Sequence, residues 1–370
     1  MKKIQKINTF NFDKNFINNF NNKNYILLTG GLGFIGFNLA LALNSLGFHN
    51  LIIVDNIFKD KHINKIKIKR LSNIRFINYF QKEDFLELIQ NKDLINKYGL
   101  DKIGIIFHQG ACTNTLENNL DYLIKNNFEY SKVLFHFSKD YNVPFIYASS
   151  ASVYGNTKTN TKDDIECYNP LNYYALSKFL FDNYVIDFLT NQNLKNVVIG
   201  LRYFNVYGFY EEHKGFMASV IFHFFNQVLK ENIIKVFEGS NNFYRDFIFV
   251  NDVVNINIIL FKLITEGKEL NKLSGIYDCG TSKPVSFVTI ANIVKDYIQK
   301  KLNKNGIDVQ EIEFPKELKN KYQVFTKANN KKLIELFKKN NIDFKFTSIN
   351  QGIKKYIDYL YKINKINYLD

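Results

Sequence analysis

Hydrophobic positions along the chain fall into short continuous runs that alternate with longer segments of helical spacing. The run Tyr25 to Leu28 is followed by a glycine-rich turn and then by apolar residues at helical spacing up to Gly47. Similar short runs recur at Leu51 to Val54, Ile103 to Phe107, Pro144 to Tyr147 and Val197 to Leu201. Helices are predicted at Leu120 to Lys139 and Leu171 to Leu189. Because continuous apolar runs are typical of strands buried on both faces, this alternation predicts a parallel sheet covered by helices on both sides.

This order divides the chain into an extension and two domains. Residues 1–24 are polar and rich in Asn and Lys, and we interpret them as an N-terminal polar extension. Residues 25–205 are predicted to form a Rossmann domain, an α/β fold with a doubly wound parallel sheet. Residues 206–370 are predicted to form a smaller, interleaved α/β domain that binds substrate and returns segments to the first domain. Its expected elements are strands at Ile233 to Phe237 and Phe247 to Val250, and helices near Met217 to Leu229, Phe287 to Ile298 and Ile349 to Tyr361.

Composition narrows the class of protein without identifying it. The 370 residues are 46% hydrophobic and 23% charged, which excludes wholesale disorder and a coiled coil. The 49 Lys and Arg against 35 Asp and Glu give a net charge of +14, which attracts anions such as nucleotides. Since no basic run is interleaved with aromatic residues, we interpret most of this charge as dispersed over solvated faces and expect no nucleic-acid partner.

Cysteine usage and hydropathy predict a soluble, cytoplasmic protein. Cys112, Cys167 and Cys279 show no metal-ligand spacing, so neither a disulfide framework nor a metal site is expected. The N-terminus lacks the apolar core of a signal peptide, and no stretch approaches the run of about 18 apolar residues that spans a bilayer. No membrane partner is therefore predicted.

Gly30, Gly33 and Gly36 follow the first predicted strand and open the first predicted helix. In a dinucleotide-binding turn the first glycine permits the tight turn, the second admits the pyrophosphate, and the third lets the helix pack closely. A plain glycine-rich turn is the alternative interpretation. The strand before the turn, the helix after it and Asp55 at the end of the next strand favour the dinucleotide interpretation.

The choice between NAD and NADP stays open on the residues alone. Asp55 favours NAD, because its carboxylate would bind the ribose hydroxyls and oppose a 2′-phosphate. Lys59, Lys61 and His62 follow closely, and Lys82 opens a predicted helix further along the chain. Cations at these positions favour NADP.

Tyr174 and Lys178 lie four residues apart at the start of a predicted helix, which places them on one face. The ammonium and the positive nicotinamide of a bound cofactor are expected to lower the tyrosine pKa toward a value useful for proton transfer. Ser149 and Ser150 end a predicted strand, and Ser150 is expected to donate a hydrogen bond to a substrate oxygen. In a chain with 23 Tyr, a chance pair on an ordinary amphipathic helix is the alternative.

Together with the glycine turn, this pair is similar to that of the extended short-chain dehydrogenase/reductase superfamily. Within it, the chain resembles the ADP-L-glycero-D-manno-heptose 6-epimerase family from Tyr25 onward. The segments that carry the resemblance include His108 to Cys112, Asn126 to Lys132, Tyr147 to Ser150, Pro170 to Lys178, Arg202 to Gly208, His213 to Ser219, Phe237 to Ser240, Arg245 to Phe247 and Tyr322 to Gln323. The runs that begin at His213 and Phe237 are the more specific ones, whereas the short-chain motifs identify only the superfamily.

The resemblance implies an epimerase that interconverts ADP-D-glycero-D-manno-heptose and ADP-L-glycero-D-manno-heptose at C6, for the inner core of lipopolysaccharide. Because the C6 hydrogen lies next to no carbonyl group, the implied chemistry is transient oxidation and hydride return by bound NADP, without net redox change. The resemblance also implies a homo-oligomer, a pentamer in the family.

The family's site residues carry over onto this sequence. The resemblance assigns proton transfer to Tyr174 and Lys214, with Lys178 supporting the tyrosine and the cofactor ribose. The predicted cofactor-binding residues, from the motif, the nearby cations and the resemblance, are Gly30, Gly33, Phe34, Ile35, Gly36, Asp55, Asn56, Lys61, Lys82, Gln109, Gly110, Ala111, Cys112, Thr113, Asn126, Lys178 and Val206. The predicted substrate-binding residues are Asn205, Phe216, His223, Phe237, Glu238, Gly239, Ser240, Arg245 and Tyr322.

The sequence departs from the family's pattern at a few positions. Gln109 stands where the family usually has Glu, and Phe209-Tyr210 replace a Pro-Arg pair. Phe216 replaces a Ser that contacts substrate, so a hydroxyl contact is lost although a backbone contact is compatible with Phe. These departures bear on specificity and remove no group assigned to chemistry.

Two other functions compete with this interpretation. One is another nucleotide-sugar 4-epimerase or a 4,6-dehydratase, but Ala151 follows Ser150 where a dehydratase is expected to carry an acidic residue. The other is a catalytically inactive dinucleotide sensor that binds nucleic acid. The intact Tyr174 and Lys178 argue against the sensor.

Overall fold

The apolar runs form strands, and most of the segments between them form helices. The structure, a computed structural model, describes residue 20 and residues 24–57, 61–156, 167–191, 194–267, 270–303, 305–316 and 322–367. The strands among these residues are β1 (Tyr25–Thr29), β2 (Leu51–Val54), β3 (Asn78–Phe80), β4 (Ile103–His108), β5 (Phe145–Ser150), β6 (Val198–Tyr203), β7 (Asn205–Tyr207), β8 (Ile233–Phe237), β9 (Tyr244–Arg245), β10 (Phe247–Phe249), β11 (Gly275–Cys279), β12 (Val285–Ser286) and β13 (Asp308–Ile312). The helices are α1 (Phe34–Ser45), α2 (Lys61–Leu71), α3 (Lys82–Leu88), α4 (Lys92–Lys97), α5 (Leu120–Leu123), α6 (Tyr130–Asp140), α7 (Tyr173–Asn191), α8 (Val220–Glu231), α9 (Val250–Thr265), α10 (Leu270–Leu273), α11 (Phe287–Leu302), α12 (Lys331–Lys339) and α13 (Ile349–Asn367). No helix within the described ranges is both long and apolar enough to cross a membrane.

The chain divides into two compact units that interleave along the sequence. The first unit consists of the residues up to Ser150, Tyr173–Arg202 and Val253–Tyr277. The second consists of Ala151–Asn172, Tyr203–Asp252 and the residues from Asp278 on. Of the predicted N-terminal extension, residues 1–19 and 21–23 lie outside the described residues.

The first unit is built on a sheet that, in the described part of the chain, has seven strands in the order β11-β6-β5-β4-β1-β2-β3. Strand β1 pairs in parallel with β2 and with β4, and β2 with β3 and β4 with β5 are also parallel. Every residue of β2 and of β6 is buried, as expected for strands covered on both faces. The order reverses between β1 and β4, which is the doubly wound topology. The predicted Rossmann fold is confirmed.

The second unit contains small sheets. Among its described residues, β7 pairs with β10 and β8 with β13 in parallel, and β9 pairs with β12 in antiparallel orientation.

The predicted helix Leu120 to Lys139, in the first unit, is wrong in one respect: a π-helical turn, Ile124–Glu129, separates α5 from α6. Helix α8 begins at Val220, later than predicted, because Ser219 caps it by accepting a hydrogen bond from Phe222 N at 3.4 Å.

Helix α7 is joined to the sheet by buried polar contacts as well as by packing. Asp182 on α7 accepts hydrogen bonds from Tyr147 Oη at 3.0 Å and Ser149 Oγ at 2.8 Å, both on β5. The same carboxylate lies 2.8 Å from Nε of Arg202 on β6, and both charged side chains are buried. Gly200 leaves room for this arrangement, since a Cβ there would lie 2.5 Å from Tyr147 Oη. The network determines how α7 is placed along β5.

We expect Asp182→Ala to destabilise the protein by about 3–5 kcal/mol, because it leaves the buried Arg202 guanidinium without its carboxylate partner. The matched control is Asp187→Ala, on the same helix but exposed, which should change the free energy of unfolding by less than about 0.5 kcal/mol. Urea unfolding of both variants measures the difference. Equal stabilities would show that the buried pair does not hold α7.

Candidate active site

The glycine-rich turn after β1 brings separate backbone segments into close contact. Gly30 has a φ of +64°, and a Cβ there would lie 2.6 Å from Gly110 N in the loop after β4. A Cβ on Gly36 would lie 2.1 Å from Gly30 O, so α1 packs directly on the turn. The first and third glycines of the motif therefore stand where larger residues do not fit.

The N-terminus of α1 is suited to an anion. Gly33 precedes Phe34, the first residue of α1, and no side chain caps the helix there. The first N–H groups of a helix lack partners within the helix and carry partial positive charge. A Cβ on Gly33 would meet one atom within 4 Å, Gly30 O at 3.1 Å, so this glycine is less crowded than Gly30 or Gly36. These residues, with Phe34 buried and Ile35 half-buried behind them, fit the pyrophosphate of a dinucleotide.

The carboxylate of Asp55, just after β2, is held by donors from three directions. Its Oδ2 accepts from Leu32 N at 2.9 Å, and its Oδ1 accepts from Asn56 N at 2.8 Å and from Lys67 Nζ at 2.6 Å. Lys67 also donates to Asn56 O at 2.7 Å. Lys67, on α2, is absent from the predicted site residues because no motif links it to Asp55. Its charge compensates the carboxylate on which the expectation of NAD rested.

Three predicted cofactor residues meet beside Asp55. Lys82 Nζ donates to Asn126 Oδ1, and Lys82 N donates to Asn56 Oδ1 at 3.0 Å. Asn126 lies in the π-helical turn and is buried. Lys59 lies outside the described residues, and so do the side chains of Lys61 and His62.

The loop after β4 carries the predicted residues Gln109 to Thr113, and hydrogen bonds with Thr29 and Asn127 hold it in place. Gln109 N donates to Thr29 O at 3.1 Å. The side chain of Asn127, wholly buried in the π-helical turn, accepts from Cys112 N at 2.8 Å and donates to Cys112 O and to Ser177 Oγ, both at 3.0 Å. Asn127 thus joins this loop to α7. In the sequence, the signal for Asn127 was its position next to Asn126 in a motif of the family.

Ser150, Tyr174 and Lys178 form the predicted catalytic group. The Ser150 hydroxyl forms a hydrogen bond with the Tyr174 phenol, and Lys178 Nζ donates to Ala148 O at 2.8 Å. Burial raises the pKa of Tyr174, and the bond to Ser150 opposes this increase. The expected lowering of this pKa by the Lys178 ammonium and a bound nicotinamide stays a prediction, and in the structure the effect of burial dominates. The Tyr174 phenol therefore keeps its proton at neutral pH.

Lys178 is a buried cation on the same face of α7. Burial lowers its pKa to about 8, although the charge of Asp182, one turn further along, opposes the decrease. The amine thus exchanges its proton close to neutral pH.

Lys214 belongs to the second unit and lies in a 3₁₀ turn, Glu212–Met217, that precedes α8. Burial lowers its pKa, while the charge of Glu211 raises it. The next residue, Gly215, has φ 55° and ψ −126°, a conformation that L side chains avoid. A lysine with a lowered pKa is suited to proton transfer.

Arg245 lies inside a cluster of aromatic rings in the second unit. Its guanidinium carbon is 4.9 Å from the ring centre of Tyr322 and 5.6 Å from that of Phe287. Phe314 links Tyr322 to Phe237, with ring centres 5.3 Å apart in each pair. Burial lowers the pKa of Arg245 to about 10. The structure thus brings Phe237, Arg245 and Tyr322 together through Phe287 and Phe314, which sequence reasoning did not identify.

The other residues predicted for the second unit lie on β7, directly after β8, and on or just before α8. Asn205 and Val206 begin β7, and Glu238 to Ser240 follow β8. The ring of His223 on α8 forms a hydrogen bond with Phe216 O at 3.3 Å. The Phe216 side chain is 65% exposed, so nothing in its own unit covers it.

Lys178→Met is expected to stabilise the protein at pH 7 by about 1–3 kcal/mol. The pKa of Lys178 falls from 10.5 to about 8 on folding, so the cost of burying its charge is full below pH 8 and vanishes above 10.5. The advantage of the variant should therefore shrink as pH rises from 8 to 10.5. Urea unfolding across this range measures it, with the exposed Lys195→Met as control. A difference that does not change with pH would contradict the assignment.

Comparisons with known proteins agree with the fold and indicate the family. A family model described as the NAD dependent epimerase/dehydratase family matches residues 26–280. The chain is similar to an ADP-L-glycero-D-manno-heptose-6-epimerase of Brachyspira hyodysenteriae, with 42% identity over 338 residues, 91% of this chain and 98% of the relative.

Solved structures are similar as well. A crystal structure of the Helicobacter pylori ADP-L-glycero-D-manno-heptose-6-epimerase matches with a TM-score of 0.71 and 26% identity, over 92% of this chain and 97% of that one. A UDP-N-acetylglucosamine 4-epimerase of Methanobrevibacter ruminantium, 22% identical over 92% of this chain and 99% of that one, shares the fold with a TM-score of 0.70. The resemblance predicted from the motifs is confirmed, and the chain belongs to the NAD dependent epimerase/dehydratase family.

Proposed function

We propose that the chain epimerises ADP-D-glycero-D-manno-heptose and ADP-L-glycero-D-manno-heptose at C6, in the supply of lipopolysaccharide inner-core precursor. The observation that carries the proposal is the group of half-buried Ser150 with buried Tyr174 and Lys178, which can hold and move the proton of a carbinol. The 42% identity to the Brachyspira enzyme supports the choice of sugar. The homo-oligomeric state and the cytoplasmic location stay predictions from the sequence.

Inversion at C6 needs a group that the side chains do not contain. The carbinol C–H bears a hydroxyl but no neighbouring carbonyl, so direct deprotonation is too difficult. A bound nicotinamide cofactor supplies the transient oxidation of C6 and its reduction on the opposite face. The open helix N-terminus at Gly33, the glycine contacts and Asp55 fit such a dinucleotide.

Proton transfer falls to the protein. Ser150 would orient the C6 hydroxyl, and Tyr174, protonated at neutral pH because burial raises its pKa, would donate a proton to the oxygen. Lys214, whose pKa burial lowers, is suited to accept one. We assign these opposite roles to the two residues, exchanged in the reverse direction. Lys178 supports the cofactor ribose from α7.

NADP is the cofactor we propose. Asp55 would repel a 2′-phosphate if its charge were uncompensated, but Lys67 forms an ion pair with it at 2.6 Å. Lys82, bound to Asn126, adds a second cation near Asn56. Because Glu83 pairs with Lys82 at 3.2 Å, two cations offset two carboxylates here, and the local charge does not oppose the phosphorylated ribose that the family resemblance favours.

Arg245 is the residue we propose to bind the substrate pyrophosphate. Its guanidinium can form two parallel hydrogen bonds to phosphate oxygens, which an ammonium cannot do. The rings of Tyr322 and Phe287 hold the guanidinium by cation–π contact, so it is oriented before substrate arrives.

The activity is tested by incubating purified protein with the ADP-heptose and following the C6 configuration by NMR. We expect Tyr174→Phe and Lys214→Met each to lose about 100-fold or more in turnover, because each removes a proton-transfer group. Tyr173→Phe, at the exposed neighbour of Tyr174, and Lys230→Met, at an exposed position on α8, are matched controls that should keep the parent rate. The absence of interconversion at high protein concentration would rule out the proposed activity.

Two glycine substitutions separate binding from folding. Gly33→Ala places a methyl group 3.1 Å from Gly30 O, its one close contact, so we expect a small decrease in melting temperature and about 10-fold or more weaker dinucleotide binding. Gly36→Ala places a Cβ 2.1 Å from Gly30 O, so we expect a lower melting temperature. Fluorescence titration with NADPH and NADH measures affinity and shows which cofactor is preferred. Unaltered NADPH affinity in Gly33→Ala would place the pyrophosphate elsewhere.

A further inference from the structure

The loop that carries Lys214 is closed by one buried carboxylate. Glu211 is 0% exposed, and its Oε1 accepts hydrogen bonds from Gly208 N at 3.2 Å and Ser219 Oγ at 2.6 Å. Its Oε2 accepts from Ser219 N at 2.7 Å. Gly208 is the first residue after β7 and Ser219 the last before α8, so this side chain joins the two ends of the loop.

The loop has a backbone that needs such support. Gly208, Tyr210 and Gly215 have φ values of 138°, 68° and 55°. For Tyr210 a left-handed conformation costs on the order of 1–2 kcal/mol, and it persists only where other contacts determine it. Tyr210 packs against Tyr359 of α13, with ring centres 5.4 Å apart, and Glu211 follows it directly. The contact between Tyr210 and Tyr359 thus supports the strained backbone next to the buried Glu211.

Glu211 also acts on Lys214 electrostatically. Its charge raises the pKa of Lys214, which burial lowers. The other titratable groups around it are Tyr207 on β7, Tyr356 on α13 and Glu212, and the Glu211 charge raises the pKa of both tyrosines. Asp252 on α9 also faces Tyr207, and Lys355 faces Asp252. Within this group, Lys214 is a cation that Glu211 can hold in its charged state.

We propose that Glu211 is a positioning residue for Lys214, which closes the loop at both ends and controls the charge of the Lys214 amine without touching substrate. The inference rests on the proposed role of Lys214 in proton transfer. A carboxylate that only closed the loop would be replaceable by a neutral amide, because Gln also accepts hydrogen bonds from Gly208 and Ser219. The two roles therefore give different results in one variant.

The experiment measures the protonation of Lys214 directly in the full chain. Limiting acetic anhydride is added at a series of pH values, and mass spectrometry of digests gives the labelling rate of Lys214. In Glu211→Gln we expect the midpoint of this titration to fall by about one pH unit, because a nearby opposite charge is removed. In epimerase assays the dependence of kcat on pH should shift to lower pH by a similar amount while KM changes less than about twofold, because the protonation of a proton-transfer group changes and the pyrophosphate contacts do not.

The control is Glu231→Gln, which removes an exposed carboxylate of the same unit and should leave the Lys214 midpoint unchanged. A midpoint in Glu211→Gln equal to that of the parent overturns the inference, whether or not the parent epimerises the sugar. If the Gln variant does not fold, Glu211→Asp is compared with the parent by hydrogen exchange. Faster exchange of the Gly208 and Ser219 amides in Glu211→Asp supports the inference, and unchanged exchange overturns it.

Discussion

Buried polar contacts decide where helix α7 lies against β5. Consecutive residues of β5 each bond to α7: Tyr147 and Ser149 to Asp182, the carbonyl of Ala148 to Lys178, and Ser150 to Tyr174. A shift of α7 by one residue would leave several of these groups buried without partners, at a cost of about 1–3 kcal/mol each. The polar contacts therefore specify the position of Tyr174.

The glycine turn lies at the same edge of the sheet. There the close contact between backbone segments is a second constraint. Gly30 touches Gly110 across the ends of β1 and β4, and Thr29 lies beneath both, with its Oγ1 3.2 Å from Gly110 N and 2.7 Å from His108 Nδ1. Ligands of doubly wound sheets bind where the strand order reverses, at the carboxyl ends of the strands. Close backbone contact here, which admits no side chain, leaves the helix N-terminus facing the ligand. The site and the fold thus require the same glycines.

Local signals explain what the sequence predicted, and distant contacts explain what it did not. The strands of the central sheet and the glycine turn follow from apolar runs and from φ at Gly30, which are properties of neighbouring residues. The π-helical turn at Ile124–Glu129 escapes a search for helical periodicity, because one extra residue per turn leaves most spacings intact. Lys67 and Arg202 gain their roles only from partners elsewhere in the chain, Asp55 and Asp182. No spacing rule joins such pairs.

The net charge of +14 also shows that the number of charged residues says less about a site than the surroundings of each residue. Most cations of this chain lie on solvated faces, where water screens them and they contribute little. Lys178, Lys214 and Arg245 differ because burial lowers the pKa of each. A cation that has lost its water gains most from an anionic ligand, or releases its proton nearest to neutral pH. The excess of Lys over acidic residues therefore says little about function, whereas the surroundings of these three cations change how readily each one holds its proton.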